Sequence, residues 1–185
     1  MRIIAGEKRS RKIEAPSGQD TRPTADRVKE ALFSMLQNRL YDARVLDLYA
    51  GSGALSLEAL SRGAQSAVLV DKCFKAAKVI RGNIECLGYQ EKARLIQGED
   101  TRALQLLEAE GKEFDLVFLD PPYKMDTTET CSRIGEKLLA KGGMIVCEHD
   151  KKTPPGTPEN LRLKDRREYG TTGLTFFVRK GADEA

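Results

Sequence analysis

From residue 43 onward, short apolar runs alternate with amphipathic stretches of helical period. The runs predict strands near 44–49, 67–71, 93–97, 114–119 and 142–148, and the stretches predict helices near 53–62, 73–87, 100–110 and 128–139. Near-continuous apolar strands separated by helices make a parallel α/β sheet covered on both faces. Residues 151–158 form a proline-rich loop, and 161–168 with 173–179 read as an antiparallel pair, so the sheet is expected to end mixed. At the start, residues 2–5 and 11–15 read as a hairpin around Gly6. A helix capped by Thr24 then runs to about Leu40, with Val28, Ala31, Leu32, Met35 and Leu36 on one face. The expected organisation is an extension over 1–40 and a main domain over 41–182. No internal repeat or low-complexity tract interrupts it.

Composition narrows the class. A chain of 185 residues that is 40% hydrophobic and 32% charged fits one globular unit with a sizeable core. No apolar stretch approaches the roughly 20 residues of a membrane span, and Met1-Arg2-Ile3-Ile4 lacks a signal-peptide core. A cytoplasmic protein is expected. Cys73, Cys86, Cys131 and Cys147 have neither metal-ligand spacing nor a dense disulfide pattern, so buried free thiols are expected. His149 is the only histidine, which rules out a multi-histidine metal site, and a polar residue at a strand end is its simplest role. Net charge is +3, but two segments concentrate it: Arg2, Lys8, Arg9, Arg11 and Lys12 against Glu7, and Arg162, Lys164, Arg166, Arg167, Arg179 and Lys180 against Asp165 and Glu168. Such ends either track phosphates or are solvated faces.

The first strand runs into Asp47-Leu48-Tyr49-Ala50-Gly51-Ser52-Gly53 and then a helix, a place where ligands bind in parallel sheets. Gly51 and Gly53 permit close approach of a ligand, but Ser56 stands where the third glycine of the dinucleotide fingerprint would fall. Asp47 changes the reading. A carboxylate beside this turn repels a pyrophosphate and attracts an ammonium group, which S-adenosylmethionine carries. Asp71, ending the second strand, is placed for ribose hydroxyls, a role shared with NAD sites. Asp100 suits an adenine amine or a helix cap before Thr101.

After the fourth strand comes Asp120-Pro121-Pro122-Tyr123. The prolines fix φ and remove N–H donors, which holds the carbonyls of Asp120 and Pro121 out as acceptors. Carboxylate, carbonyl and aromatic face together suit a planar exocyclic amine, with Tyr123 stacking on its ring for roughly 1–3 kcal/mol. That points to a nucleobase.

Taken in this order, the motifs resemble class I S-adenosylmethionine-dependent methyltransferases that modify amino groups, and most closely the 16S ribosomal RNA guanine-N2 methyltransferases of the RsmD type, which modify guanine-966 of the small-subunit RNA. Arg2-Ile3-Ile4-Ala5-Gly6 and the run from Thr21 to Phe33 resemble that family's N-terminal signature. Asp47 to Leu55, with Leu57 to Ala64, resembles its cofactor loop, and Arg167-Glu168-Tyr169-Gly170 its last hairpin. Tyr49, Ser56 and Asp71 depart mildly from the phenylalanine, glycine and glutamate that are frequent there. The resemblance implies S-adenosylmethionine held by Asp47, Tyr49, Ala50, Gly51, Ser52, Gly53, Asp71, Lys72, Asp100, Thr101 and Asp120. It implies catalysis by Asp120, Pro121, Pro122 and Tyr123, with RNA contacts through Arg2, Lys8, Arg9, Arg11, Lys12, Arg22, Thr24 and Arg167. Arg22 and Thr24 would belong to a lid. The partner would be 16S RNA or the small ribosomal subunit, met by a monomer without a metal.

Other readings stay open at this level. The same motif suits the amine of adenine or cytosine in RNA or DNA, and protein glutamine methylation uses a similar proline motif. A non-catalytic RNA-binding assembly module is a rival from another class, weighed against by Asp47, Asp71, Asp120 and Tyr123. A nicotinamide-dependent oxidoreductase is weakened by Asp47 and the missing glycine.

Overall fold

The structure is a computed structural model that describes residues 1–16, 23–122 and 125–181. Among the described residues, seven strands form one sheet in the order β3-β2-β1-β4-β5-β7-β6. They are β1 Arg44–Asp47, β2 Ser66–Asp71, β3 Ala93–Gln97, β4 Phe114–Leu119, β5 Leu139–Asp150, β6 Leu161–Tyr169 and β7 Thr172–Arg179. β1 to β5 pair in parallel, and β7 lies antiparallel between β5 and β6, so the sheet is mixed as the pattern predicted. The helices are α1 Pro23–Met35, α2 Ala54–Ser61, α3 Phe74–Leu87, α4 Asp100–Ala109 and α5 Thr128–Lys137.

Strand alternation divides the core. Val45, Leu69, Phe118 and Val146 pack with Leu32, Phe33, Leu57, Leu60, Ile80 and Ile84 from α1, α2 and α3. Leu46, Val68, Val117 and Cys147 pack with Leu104, Leu107, Cys131 and Ile134 from α4 and α5 on the other face. Ile3, Ile13 and Val28 bury into the first cluster, so the described part of residues 1–40 shares its core with the sheet.

Three local expectations are corrected. The N-terminal hairpin shrinks to one antiparallel bridge, Arg2 to Lys12, because side chains of α2 and α3 hold this strap in place of a ladder. Glu58, fully buried in α2, accepts the N–H groups of Ile4 and Ala5 at 2.8 and 3.0 Å and pairs with Arg62 at 2.8 Å and Lys29 at 3.7 Å. Ser61 accepts the Lys8 N–H at 3.0 Å and donates to the Ala5 carbonyl at 2.6 Å. Gly6 sits at φ +83°, and a Cβ there would collide with the Ser61 carbonyl, so only glycine fits. Asn83 of α3 brackets Glu14, accepting its N–H at 2.8 Å and donating to its carbonyl and to that of Ser52 at 2.9 Å each. Second, α1 begins at Pro23, the favoured first helical position, so Thr24 lies inside the first turn and does not cap it. This helix stops at Met35, and a 3-10 turn over Gln37–Arg39 lets Leu36 and Leu40 both bury. Third, α5 ends at Lys137 and β5 begins at Leu139, because the buried Leu139 and Ala140 extend the strand, with Leu139 pairing Phe114.

No helix among the described residues is long and apolar enough to cross a membrane. Cys131 and Cys147 are buried as thiols with sulfurs 3.3 Å apart. Cys73 and Cys86 are exposed, against expectation, because one precedes α3 and the other lies on its outer side. His149 bonds the Asp150 carbonyl and the Thr175 hydroxyl at 2.8 Å each, a strand-end role as expected.

Candidate active site

Two residues beyond Val45, Leu69, Phe118 and Val146 come Asp47, Asp71, Asp120 and Glu148. The period of two therefore brings four carboxylates out on one sheet face at the carboxyl ends of β2, β1, β4 and β5, which are neighbours in that order. Ligands of open parallel sheets bind at this edge.

The four are not in equal states. Asp47 is buried, and its Oδ2 accepts the Ser56 hydroxyl at 3.1 Å. Burial raises its pKa to about 7; the Ser56 bond opposes this and the charge of Asp120 adds to it. Ser56, the residue that breaks the dinucleotide fingerprint, thus serves the neighbouring acid. Asp71 is tied down on both oxygens, by the Gly51 N–H and the Cys73 N–H at 2.8 Å each. It thereby props the turn, in which Gly51 and Gly53 adopt φ +58° and +78°.

Asp120 and Glu148 make no hydrogen bond through their carboxyl groups to the described residues. The edge of Asp120 is open to solvent, yet its recess withholds enough water that desolvation raises its pKa to about 6. Glu148 is half-buried; desolvation first, and then the charge of Asp120, raise it to about 8. Both line a recess with Pro121, Pro122, His149 and Thr153. Among the described residues the Pro122 carbonyl accepts the Met125 N–H at 3.3 Å, while those of Asp120 and Pro121 accept none.

Beside β1, the Tyr49 hydroxyl donates to Asp100 Oδ2 at 2.6 Å, and the tyrosine is pushed well above its usual range, by burial first and then by this bond. Asp100 is the first residue of α4, not its cap; Glu99 precedes the helix, and Asp100 Oδ1 accepts the Thr101 N–H at 2.7 Å. Among the described residues no group of three or more His, Cys, Asp or Glu could hold a metal ion.

A family model described as conserved hypothetical protein 95 matches residues 1–178. The chain belongs to this family. Similar proteins include "Putative rRNA methyltransferase YlbH" of Bacillus subtilis, 36% identical over 184 residues that cover 98% of this chain and 100% of that one. "Ribosomal RNA small subunit methyltransferase D" of Escherichia coli is 33% identical over 188 residues, covering 100% and 93%. The solved structure of "Putative methyltransferase yhhF from Escherichia coli" superposes with a TM-score of 0.82 at 33% identity over 97% of each chain. By its relatives and by its fold this family member is a class I methyltransferase.

Within this family member, the sheet edge brings together Asp47, Tyr49 to Gly53, Asp71, Asp100, Thr101, Asp120, Pro121 and Pro122. Lys72 turns outward to Glu99 at 3.7 Å, both exposed. Tyr123 and Arg22 lie outside the described residues, as does the side chain of Thr24. Arg2, Arg9, Arg11 and Lys12 are exposed on the strap, with Arg11 donating to the Cys86 carbonyl at 3.1 Å and Lys8 over the Tyr89 ring at 5.6 Å. Arg167 lies on the far edge strand, paired with Asp165 at 2.9 Å. Sequence reasoning missed Glu58, Asn83 and Glu148. Their signal was a polar residue in an apolar pattern: Glu58 within Ala54–Ser61, Asn83 at the helical spacing of Ile80 and Leu87, Glu148 after Val146 and Cys147.

Proposed function

We propose that this protein transfers a methyl group from S-adenosylmethionine to the 2-amino group of a guanine in the 16S RNA of the small ribosomal subunit, acting as a cytoplasmic monomer. The observation that carries this reading is the pair of open acceptors, Asp120 and the Pro121 carbonyl, at the same sheet edge as the buried Asp47. The names of the relatives supply the RNA.

The donor set fits that cofactor. A buried carboxyl with one neutral partner and a pKa near 7 is poised to ionise when a cation arrives, and S-adenosylmethionine carries ammonium and sulfonium groups. A pyrophosphate would meet carboxylates instead. Asp47 would receive the ammonium and Asp71 the ribose hydroxyls, since each of its oxygens keeps a lone pair beyond its backbone bond. Asp100 would take the adenine amine, with Thr101 beside it. When bound, the cofactor supplies a methyl group already activated by its sulfonium.

Positioning therefore falls to the chain's own residues. Asp120 and the Pro121 carbonyl accept the two amine protons, which favours a pyramidal nitrogen with its lone pair available. Ionised Asp120 also stabilises the positive charge that develops there and can take up the released proton at its carboxylate, for which a pKa near 6 is suited. Tyr123 stacks on the base once it has left its helix, at an unstacking cost of a few kcal/mol. Residues 1–40 form the RNA-contacting extension: Arg2, Lys8, Arg9, Arg11 and Lys12 offset that cost, with Arg22 and Thr24 closing over the site and Arg167 reaching RNA from the far edge. Label transfer from methyl-labelled cofactor to unmodified small-subunit RNA, naked and assembled, tests the reading. Label is expected in one of these and absent from large-subunit RNA and DNA; no transfer to either form contradicts it.

A further inference from the structure

Of the four carboxylates on the sheet edge, Glu148 has no part in the assignments above. β4 and β5 run in parallel with Leu119 opposite Cys147, so Asp120 and Glu148 are the next pair across the two strands and line the same recess. No hydrogen bond from the described residues occupies its carboxyl. Of its titratable neighbours on β5, His149 spends both ring nitrogens on the Asp150 carbonyl and the Thr175 hydroxyl, and Asp150, which also lines the recess, accepts the Lys152 N–H at 2.8 Å through one carboxylate oxygen. Glu148 is therefore the β5 side chain in register with Asp120, and both of its carboxyl oxygens are free of hydrogen bonds from the described residues.

The chemistry of the three amine-bearing bases gives that position meaning. In guanine the amine stands next to N1–H, a second donor. In adenine and in cytosine the corresponding neighbour is a bare ring nitrogen, an acceptor. A carboxyl group always keeps an acceptor lone pair, and when protonated it also offers a hydroxyl. Against guanine, one oxygen can accept N1–H while a hydroxyl meets O6, a two-bond fit to the lactam edge. Against adenine or cytosine, an ionised carboxylate faces an acceptor and a protonated one makes a single bond. Burial and the charge of Asp120, which raise Glu148 to about 8, supply the protonated form at neutral pH without removing the acceptor.

We propose that Glu148 is a specificity-determining residue: its carboxyl reads the N1–H and O6 edge of the guanine whose amine is held by Asp120 and Pro121. The inference rests on the guanine-methylating function proposed above and assigns selection among amine-bearing bases to one side chain.

The test compares target RNAs carrying either guanine or 2-aminopurine at the methylated position, presented naked and in assembled subunits. 2-Aminopurine keeps the 2-amino group but lacks N1–H and O6. Wild-type protein should prefer guanine in kcat/KM and in binding of the cofactor-loaded protein to RNA. Glu148→Leu should cut that preference by about tenfold or more, mainly by losing guanine turnover. Glu148→Gln, whose amide oxygen and NH2 reproduce the protonated carboxyl, should retain most of it, which a role in charge or packing alone would not give. A guanine to 2-aminopurine ratio in Glu148→Leu equal to that of wild type overturns this inference alone. A wild-type protein that methylates no guanine RNA in either form overturns the function proposed above and this inference with it.

Discussion

The β1–β2 half of the sheet edge and the β4–β5 half carry the same kind of group in opposite conditions. Asp47 and Asp71 are engaged, by the Ser56 hydroxyl and by two backbone N–H groups, and the turn they support is fixed before anything binds. Asp120 and Glu148 carry no hydrogen bond on their carboxyl groups from the described residues and share a recess where desolvation raises both and the charge of Asp120 raises Glu148 further. Binding an invariant small molecule rewards a preformed cradle. On the proposed function, a base that leaves an RNA helix would meet open acceptors whose energy is reserved for the amine as charge develops on it. On that same proposal, the difference separates holding the cofactor from doing the chemistry.

The sharpest way to break that division is Asp120→Ala. It should lower kcat by about 100- to 1,000-fold, the scale of losing one oriented transition-state partner, while cofactor affinity measured by calorimetry stays within about threefold. Equal losses in both would merge the two halves. Glu58→Ala tests whether the strap is anchored independently of either half. It removes one partner of Lys29 and the carboxylate paired with Arg62, and takes from the N–H groups of Ile4 and Ala5 their buried acceptors, so about 3–5 kcal/mol of stability should go, seen in chemical denaturation. A change under about 1 kcal/mol would remove its anchoring role.

Asp47→Asn sharpens the cofactor half. Loss of a charged acceptor for the ammonium should weaken S-adenosylmethionine binding by about tenfold to a hundredfold, with kcat at saturation far less affected. The pH dependence follows from the same residue. Its folded pKa is raised to about 7, so the folded state retains a proton that the unfolded chain loses in the usual carboxylate range. That contribution to stability is complete below the usual range and gone once the pH passes about 7. Thermal denaturation of the ligand-free protein should therefore show a melting point falling from pH 5 to pH 8, with a shallower fall in Asp47→Asn. Cofactor binding near pH 6 should release protons in calorimetry across buffers of different ionisation enthalpy. The smallest effect belongs outside both halves. Replacing Arg9 and Arg11 by alanine should flatten the salt dependence of RNA binding by about two in slope, and an unchanged slope would place the RNA elsewhere.

Which parts were legible in the sequence follows from the range of the interactions involved. The strands and helices of the sheet were readable because apolar period is local, and Phe114–Leu119 was predicted at its observed bounds. Asp47, Asp71 and Asp120 were readable because each ends or directly follows a strand that the period defines. The strap was misread as a hairpin because its partners, Glu58, Ser61 and Asn83, lie 53 to 69 residues further along. Glu148 was passed over because its place beside Asp120 depends on β5 pairing with β4, a register that no local pattern reports. Tyr123 was read from its residue type and Arg22 from resemblance, and both lie outside the described residues.

Product identity tests the amine clamp most directly. Unmodified 16S RNA and small subunits, treated with the protein and methyl-labelled S-adenosylmethionine, would be digested to nucleosides and analysed by mass spectrometry. The account predicts label in N2-methylguanosine; label in methyladenosine or methylcytidine, or on carbon in place of the exocyclic nitrogen, would contradict it.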